Sequence, residues 1–376
     1  MPYFVQAIFL ASLLLIFFTT NGKMDAVIAS YIVLWTIGIV VIQARYGADA
    51  DIFYSNDQKI MVGMVDIVSK YGIAFNAGNA ILFRYVVTIP AMILTKFGFD
   101  ALLALKFIQA TCVLLSYRLV RIHFASNNLD LKLSYIPLFS GPLLLLNSLL
   151  GLRDAVLSYL ILNFVIGKDP RTKILAIIGT YLLRPHLAAA LLFGLGAAWA
   201  YNKIRASKNV LSLSVLIVMT YGAGIFIYAI GLKLQQNGSI DERNLSKLNQ
   251  DAFIRLATNF SGLQFLTLGE YVVEFSIARL LLLRIVFFDT FVTPLLFLSL
   301  ILSQSLRSKR DLGILLSFVF FSGIVSNTDF NSSRQNIPFI VLMGVAVSEH
   351  YATRRRDAEN FVSAASAPTQ IVKLKS

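Results

Sequence analysis

Long runs of apolar residues, separated by short polar connections, dominate the chain from residue 3 to residue 351. A helix needs about 20 mostly apolar residues to cross a bilayer, and several of these runs are that long. The runs are solid rather than alternating, which disfavours the strands of a membrane barrel. We therefore predict an all-α polytopic membrane protein with about 11–12 hydrophobic helices, some of them short or re-entrant. The predicted spans are 3–19, 25–43, 80–97, 101–120, 133–150, 153–167, 172–183, 186–201, 210–232, 275–302, 311–326 and 336–351.

The composition supports a membrane protein over a soluble one. Hydrophobic residues make up 57% of the chain and charged residues only 14%, whereas a soluble domain has about 25% charged residues. The net charge of +13 comes from Lys and Arg in short connections, as the positive-inside rule expects, so we predict no nucleic-acid partner. The single cysteine, Cys112, cannot form a disulfide framework or a thiolate metal site by itself.

The distribution of basic residues predicts which connections face the cytoplasm. Short loops rich in Lys and Arg are retained on the cytoplasmic side. Those loops are 118–132, 167–173, 201–209 and 303–311, together with the tail that begins at Arg354.

Two longer connections, 44–79 and 233–274, are then outer loops. Each spanning helix moves the chain to the other side of the membrane. If 44–79 is outside and 118–132 is cytoplasmic, only one span can lie between them, so segment 80–97 is re-entrant or interfacial rather than spanning. We predict one membrane domain over 1–356 and a disordered cytoplasmic tail over 357–376, where the composition turns polar.

The segment 171–201 predicts a helical hairpin. It has basic residues at both ends and the tripeptide Arg184-Pro185-His186 in its middle. A single long helix would place Arg184 at the bilayer centre, whereas a proline inside a helix removes a backbone donor and breaks the hydrogen-bond ladder. A turn at Pro185 is tolerated at membrane depth if it lines a water-filled cavity. Arg184 and His186 are therefore expected to face a cavity that opens outward.

Several charged and polar residues are predicted to lie on this same outer side. They come from distant parts of the sequence, so their shared depth is a consequence of the topology rather than of proximity along the chain. They are Arg45, Asp49, Asp51 and Tyr54 in "RYGADADIFY", Arg84 in the segment 80–97, Arg153 and Asp154, Arg184 and His186, and Asp329 and Arg334 in "SNTDFNSSRQNIP".

Four of these arginines, Arg45, Arg153, Arg184 and Arg334, lie with His186 at one depth and predict an anion site. The planar guanidinium matches phosphate and stays charged when buried, so several of them can bind a diphosphate and stabilise it as a leaving group. His186 has the intrinsic pKa of a general base for an acceptor hydroxyl. Asp49, Asp51 or Asp154 are alternative bases or sugar-orienting groups.

Structural interpretations of the same residues remain open. An arginine at a span end is often an interface anchor, and Arg153 beside Asp154 can form a local ion pair that only fixes a helix end. The stretch "GADAD" is either a turn with a helix cap or a metal-binding pair of aspartates. A lone histidine at an interface, such as His186, is more often structural than catalytic.

The ordered pattern of motifs resembles EpsG-type and Wzy-type polysaccharide polymerases, which belong with the GT-C class of membrane glycosyltransferases. The matching pieces are "RYGADADIFY", "LLGLRDAVLSYLI", "LLRPHLAAALLF" and "SSRQNIPFI". The resemblance implies a GT-C-like fold in a bacterial inner (plasma) membrane, with an active site that faces the periplasm. It implies that Arg153, Arg184 and Arg334 contact a diphosphate and that His186 is a candidate base.

The same resemblance implies the substrates and partners. The donor and acceptor would be oligosaccharide repeat units on undecaprenyl diphosphate, held in membrane lipid, as in the synthesis of O-antigen, capsule or exopolysaccharide. A chain-length regulator is a further candidate partner. No cofactor and no metal are expected, because the guanidinium groups would supply the positive charge.

Two alternative functions fit parts of the sequence. A GT-C transferase that uses a polyprenyl-monophosphate sugar would place a base and a metal ligand in the first outer loop, where Asp49 and Asp51 lie. A flippase for lipid-linked oligosaccharides would usually show repeated halves with paired broken helices, and the sequence has no such symmetry.

Overall fold

The computed structural model is entirely helical wherever it describes the chain, apart from turns and one short 3₁₀ segment at 131–134. The described residues are 2–19, 25–46, 56–72, 85–134, 144–145, 148–149, 151, 153–204, 210–235, 292–302, 308–325 and 332–366.

Twelve helices lie within these ranges, and most of them coincide with predicted spans. They are α1 Tyr3–Phe18, α2 Ala26–Tyr46, α3 Asn56–Tyr71, α4 Tyr85–Lys96, α5 Ala101–Ser126, α6 Asp154–Ile166, α7 Pro170–Leu183, α8 Pro185–Ile204, α9 Val210–Gln235, α10 Thr293–Leu302, α11 Lys309–Val325 and α12 Ser332–Ser366. Most of the predicted outer loop 233–274 lies outside the described residues, and so does the first part of the predicted span 275–302.

Two of the described helices are long and apolar enough to cross a membrane. They are the Ala26–Ala44 part of α2 and the whole of α5, Ala101–Ser126. Shorter apolar helices occupy Tyr3–Phe18, Tyr85–Lys96, Asp154–Ile166 and Leu213–Ile227. The structure therefore has an all-helical fold with two candidate membrane-spanning helices.

The predicted outer loop 44–79 is not simply a loop. It contains α3, an amphipathic helix whose Met61, Val65 and Val68 are buried. This helix packs against α4 and α5. At 12 residues, α4 is about 18 Å long, which is short of the roughly 30 Å hydrocarbon core. Residues 80–84 lie outside the described residues, and the re-entrant or interfacial placement of 80–97 stays a prediction.

The centre of the bundle is α11, which is buried on all sides. Every residue from Asp311 to Ile324 is buried, and α8, α9, α10 and α12 pack around it. A helix that is apolar around its whole circumference is suited to such a position.

Glycines allow the neighbours of α11 to approach closely. A Cβ at Gly194 of α8 would overlap Ser317 of α11, and a Cβ at Gly224 of α9 would overlap the α11 backbone beside Gly323. The Ser317 hydroxyl donates a 3.3 Å hydrogen bond to the Leu191 carbonyl across the same contact. Helices that meet through small residues and hydroxyl bonds are characteristic of packing in membranes.

One end of the bundle, which we call the basic end, is held together by ion pairs. The Glu349 carboxylate of α12 accepts from Arg310 Nη2 at the start of α11 (2.8 Å) and lies 3.1 Å from His123 Nε2 near the end of α5. Arg121, also near the end of α5, pairs with Asp25 at the start of α2. The end of α5 and the starts of α2 and α11 therefore meet there.

The tail prediction requires a correction. Residues from 357 onward were expected to be disordered, but α12 continues to Ser366. Arg355 Nη1 lies 3.2 Å from Asp130 Oδ2, and Arg356 Nη1 donates to the Asn127 carbonyl (3.3 Å). These contacts with the turn after α5 support the extended helix. Residues 367–376 lie outside the described part of the chain.

Candidate functional site

The predicted break at Pro185 is present, and it separates α7 from α8 by a single residue. Arg184 has extended backbone angles (φ −157°, ψ 87°), which are the angles that a residue before proline favours. Its N–H donates to the Thr180 carbonyl (2.8 Å) and closes α7. Its carbonyl accepts from Leu187 N (3.0 Å) and Ala188 N (3.3 Å) and opens α8.

The start of α6 lies against this break. Arg153 is the residue that precedes α6, and Asp154 is the first residue of the helix. A carboxylate at a helix N-terminus interacts favourably with the helix dipole. Gly151, two residues before Arg153, has a φ of +68°, which an L side chain adopts only with strain. The chain thus turns sharply before it enters α6.

Two side-chain contacts connect the start of α6 to the break. Arg153 Nη1 donates a 3.1 Å hydrogen bond to the carbonyl of Leu183, the last residue of α7. Arg184 Nη2 lies 3.3 Å from Asp154 Oδ1. Arg153 therefore contacts a backbone carbonyl at the break, and Asp154 forms an ion pair with Arg184, the residue in the break.

The ion pair is almost completely removed from solvent. The Arg184 side chain is 5% exposed and the Asp154 side chain is 0% exposed. Removing such charges from water costs several kcal/mol per ion, and the mutual attraction has to offset that cost. A network of this kind is a weak source of net stability, but it holds both guanidinium groups and the carboxylate in fixed places.

His186 lies in the first turn of α8, two residues beyond Arg184. Its ring stacks on Phe321 of α11, with centroids 5.8 Å apart and planes inclined by 16°. Arg184 lies two residues before the histidine, and Arg153 is bonded to the carbonyl of Leu183, three residues before it. The histidine predicted from the sequence is therefore close to two of the predicted arginines, and an aromatic ring fixes its orientation.

The arrangement is suited to binding an anion. The Nε–H of Arg153 is buried and has no hydrogen-bond partner among the described residues. A buried donor without a partner costs about 1–3 kcal/mol. A bound anion would satisfy it, and guanidinium groups bind phosphate oxygens with good geometry.

Sequence reasoning missed two residues beside this site, Lys106 and Gln109 of α5. Both are buried, at 5% and 0% exposure. The Gln109 Oε1 accepts a 3.2 Å hydrogen bond from the N–H of Val156 in the first turn of α6. The signal for them was two long polar side chains three residues apart in the apolar run "ALLALKFIQATCVLL", since residues at that spacing share a helix face.

The described contacts define a second end of the bundle, which we call the site end. It contains the start of α6, the α7–α8 break and the first half of α5. Because α2 and α12 reach the basic end through Asp25 and Glu349, their opposite termini point toward the site end. Arg45 lies in the last turn of α2 and Arg334 in the first turn of α12, so the backbone of both is at the site end.

The other predicted site residues lie wholly or partly outside the described structure. The side chains of Arg45 and Arg334 are outside the described part of the structure, and so are the whole residues Asp49, Asp51, Tyr54, Arg84 and Asp329. Within the described ranges, no three His, Cys, Asp or Glu side chains come together as a metal site. Asp49 and Asp51, which a metal site would need, lie outside those ranges.

Comparison of the chain with known protein families, with characterised proteins and with solved structures gives no match.

Proposed function

We propose that this chain is a polytopic membrane glycosyltransferase that joins oligosaccharide repeat units carried on undecaprenyl diphosphate. The observation that carries the proposal is the meeting of Arg153, Asp154, Arg184 and His186 at a helix break inside an apolar bundle. The resemblance to EpsG-type and Wzy-type polymerases assigns Arg153 and Arg184 to the diphosphate and His186 to the base, and Asp154 is the ion-pair partner of Arg184.

Exposed apolar side chains support the membrane part of the proposal. Ile16 of α1, Leu175 of α7 and Met219 of α9 are 73%, 67% and 68% exposed. Only 22% of the apolar window in α2 is buried, although that window is apolar throughout. Soluble proteins rarely expose contiguous apolar patches larger than a few hundred Å², whereas lipid tails cover such surfaces without cost.

The positions of the basic residues support an outward-facing site. Arg171 and Lys173 lie in the first turn of α7, and Lys203 lies in the last turn of α8. The break at Arg184 is at the opposite end of both helices. With the basic ends in the cytoplasm, the site faces the periplasm of a bacterial inner membrane.

The length of α7 supports a break that lies below the membrane surface. The 14 residues of α7 span about 21 Å, which is less than the roughly 30 Å hydrocarbon core. A buried site of low dielectric strengthens each interaction between a guanidinium and a developing negative charge. Water has to be present for an anionic headgroup to enter, which agrees with non-helical backbone at that depth.

The chemistry is a direct displacement. A hydroxyl oxygen of the acceptor sugar forms a bond to the anomeric carbon of the donor, and the bond from that carbon to the diphosphate oxygen breaks. The hydroxyl proton goes to His186. The lipid diphosphate leaves with the bonding electron pair, and the guanidinium groups of Arg153 and Arg184 stabilise it.

The test is a deletion of the gene in its own host, followed by mass spectrometry of the lipid-linked saccharides. We expect loss of the polymer and accumulation of single repeat units on lipid diphosphate at the periplasmic face. Accumulation at the cytoplasmic face would assign the chain to transport instead. In a reaction with purified protein, a strict requirement for Mg²⁺ or Mn²⁺ and for a monophosphate donor would assign it to the single-sugar transferases.

A matched pair of variants makes the test specific to the site. Complementation with Arg184→Lys should fail, because the planar fork is lost although the charge remains. Complementation with Arg171→Lys should succeed, since Arg171 is an exposed arginine at the other end of α7.

A further inference from the structure

Lys106 is a buried cation that the proposed site does not yet use. Its side chain is 5% exposed, and among the described residues its ammonium has one hydrogen-bond partner, the Tyr3 hydroxyl at 3.4 Å. No described carboxylate forms an ion pair with it. The nearest acidic influence is Asp100, which is exposed and caps α5 by accepting from Leu103 N (3.0 Å). A buried charge without a close counterion is costly, so such a lysine is a functional candidate.

The position of Lys106 connects it to the anion site. A Cβ at Gly151 would lie 3.5 Å from Lys106 Cγ, so the lysine side chain runs directly beneath the turn that leads to Arg153. Gln109, one helical turn further along α5, accepts from Val156 N. The turn that carries Arg153 and Asp154 therefore lies between two polar walls. One wall is the α7–α8 break, and the other is the Lys106–Gln109 face of α5.

The charges of the described site residues are consistent with this second wall. Among those residues, Arg153 and Arg184 contribute two positive charges and Asp154 one negative charge, so their net charge is +1 when His186 is neutral. A lipid diphosphate carries a negative charge on each phosphate. The Lys106 ammonium raises the net positive charge of the surroundings to match both phosphates.

Gln109 provides an independent sign of a missing ligand. Its amide is held at the start of α6 by the bond to Val156, and its side chain is 0% exposed. The Nε2 of this amide is buried and has no hydrogen-bond partner among the described residues. An acceptor oxygen of a bound ligand would give this amide nitrogen the hydrogen bond that it lacks.

We infer that Lys106 and Gln109 are substrate-binding residues that hold one phosphate of the lipid diphosphate, while Arg153 and Arg184 hold the other. This inference rests on the proposed function, because it takes the lipid diphosphate as the ligand. It makes the site selective for a diphosphate over a monophosphate, since a single phosphate occupies only one wall.

The experiment measures lipid binding to the full chain in phosphatidylcholine nanodiscs, with undecaprenyl diphosphate and undecaprenyl monophosphate as probes. Lys106→Met should weaken diphosphate binding by about tenfold or more, as expected for a charge-assisted hydrogen bond, and change monophosphate binding less. The control is Lys96→Met, which removes an exposed lysine in the last turn of α4 and should leave both affinities unchanged.

Thermal unfolding without ligand separates a binding role from a structural one. If Lys106 binds substrate, Lys106→Met removes an uncompensated buried charge and the Tm stays equal or rises. A lowered Tm together with wild-type diphosphate affinity would show that Lys106 only anchors α1 through Tyr3, and would overturn the inference. Tyr3→Phe should leave diphosphate affinity unchanged.

A second variant tests the same wall if Lys106→Met fails to fold. Gln109→Glu keeps an oxygen that accepts from Val156 N and replaces the free amide donor with a negatively charged oxygen. Diphosphate binding should fall by about tenfold or more, because the lost donor becomes a repulsive charge. Wild-type affinity in a folded Gln109→Glu protein would contradict the assignment.

The outcomes distinguish this inference from the proposed function. If the wild-type chain binds neither lipid, the inference and the proposed function are both wrong. If Arg184→Lys loses diphosphate binding while Lys106→Met and Gln109→Glu retain it, only the assignment of Lys106 and Gln109 as phosphate-binding residues is wrong. Displacement of the lipid by inorganic pyrophosphate supports recognition of the diphosphate itself. Equal displacement by phosphatidylglycerol would show a site for anionic headgroups in general and would overturn the inference.

Discussion

Arg184 Nη2 lies 3.3 Å from Asp154 Oδ1, and the two side chains connect a helix break to the first turn of a different helix. The pair is buried, and Arg153 adds a second connection through the Leu183 carbonyl. This arrangement fixes the positions of two guanidinium groups beside His186. Four predictions follow from it and from the packing around it.

Asp154→Asn should destabilise the fold strongly, because it removes the carboxylate charge that lies against the buried Arg184 guanidinium. Breaking one half of a buried pair costs about 3–5 kcal/mol, and the measurement is chemical unfolding in detergent micelles. Asp169→Asn is the control, since Asp169 only caps the exposed start of α7 and such a cap is worth about 1 kcal/mol. Equal losses in the two variants would mean that the buried pair is not formed.

The double variant Asp154→Leu with Arg184→Leu should unfold at nearly the wild-type denaturant concentration. Replacing both members of a buried pair with apolar residues is often neutral or stabilising, within about 1–4 kcal/mol. The same protein should form no polymer from lipid-linked repeat units, since the diphosphate contact is lost. An active double variant would remove Arg184 from the proposed mechanism.

His186→Phe should fold normally and be inactive. A phenyl ring keeps the stacking on Phe321 but has no nitrogen to accept the acceptor's proton. General-base catalysis contributes about 10²–10⁴-fold, so the polymerisation rate should fall within that range while the Tm changes little. If His186→Phe remains active, the base is a carboxylate such as Asp49 or Asp51.

Gly224→Ala should destabilise the packing of α9 on α11, whereas Gly222→Ala should not. A Cβ at Gly224 would overlap the α11 backbone near Gly323, but a Cβ at Gly222 would have no atom within 4 Å. Overpacking at such a contact costs about 1–3 kcal/mol, and alanine in an open helical position gains up to about 1 kcal/mol over glycine. Thermal unfolding of the two variants should therefore shift in opposite directions or differ clearly in size.

Local features of the fold follow from the sequence alone. The apolar runs predict most of the helices because a backbone in an apolar environment has to satisfy its hydrogen bonds within the helix. The break between α7 and α8 is also local, since the missing N–H and fixed φ of Pro185 act on the adjacent residues whatever surrounds them. The helix over 357–366 was missed because composition alone reads this stretch as polar, whereas the structure continues α12 through it, directly after the contacts of Arg355 and Arg356 with the turn after α5.

The composition of the site depends on the rotation of each helix about its axis, which only the tertiary structure determines. From the sequence, Arg153 beside Asp154 was as consistent with a local ion pair as with a binding site. The packing of α6 against α7 instead directs Asp154 to Arg184 and Arg153 to Leu183. The packing of α5 against α6 turns Lys106 and Gln109 toward the site, and the packing of α11 against α8 places Phe321 under His186. Apolar helices in lipid have no single outward face that their sequence must specify, so these contacts are decided by how the helices fit together.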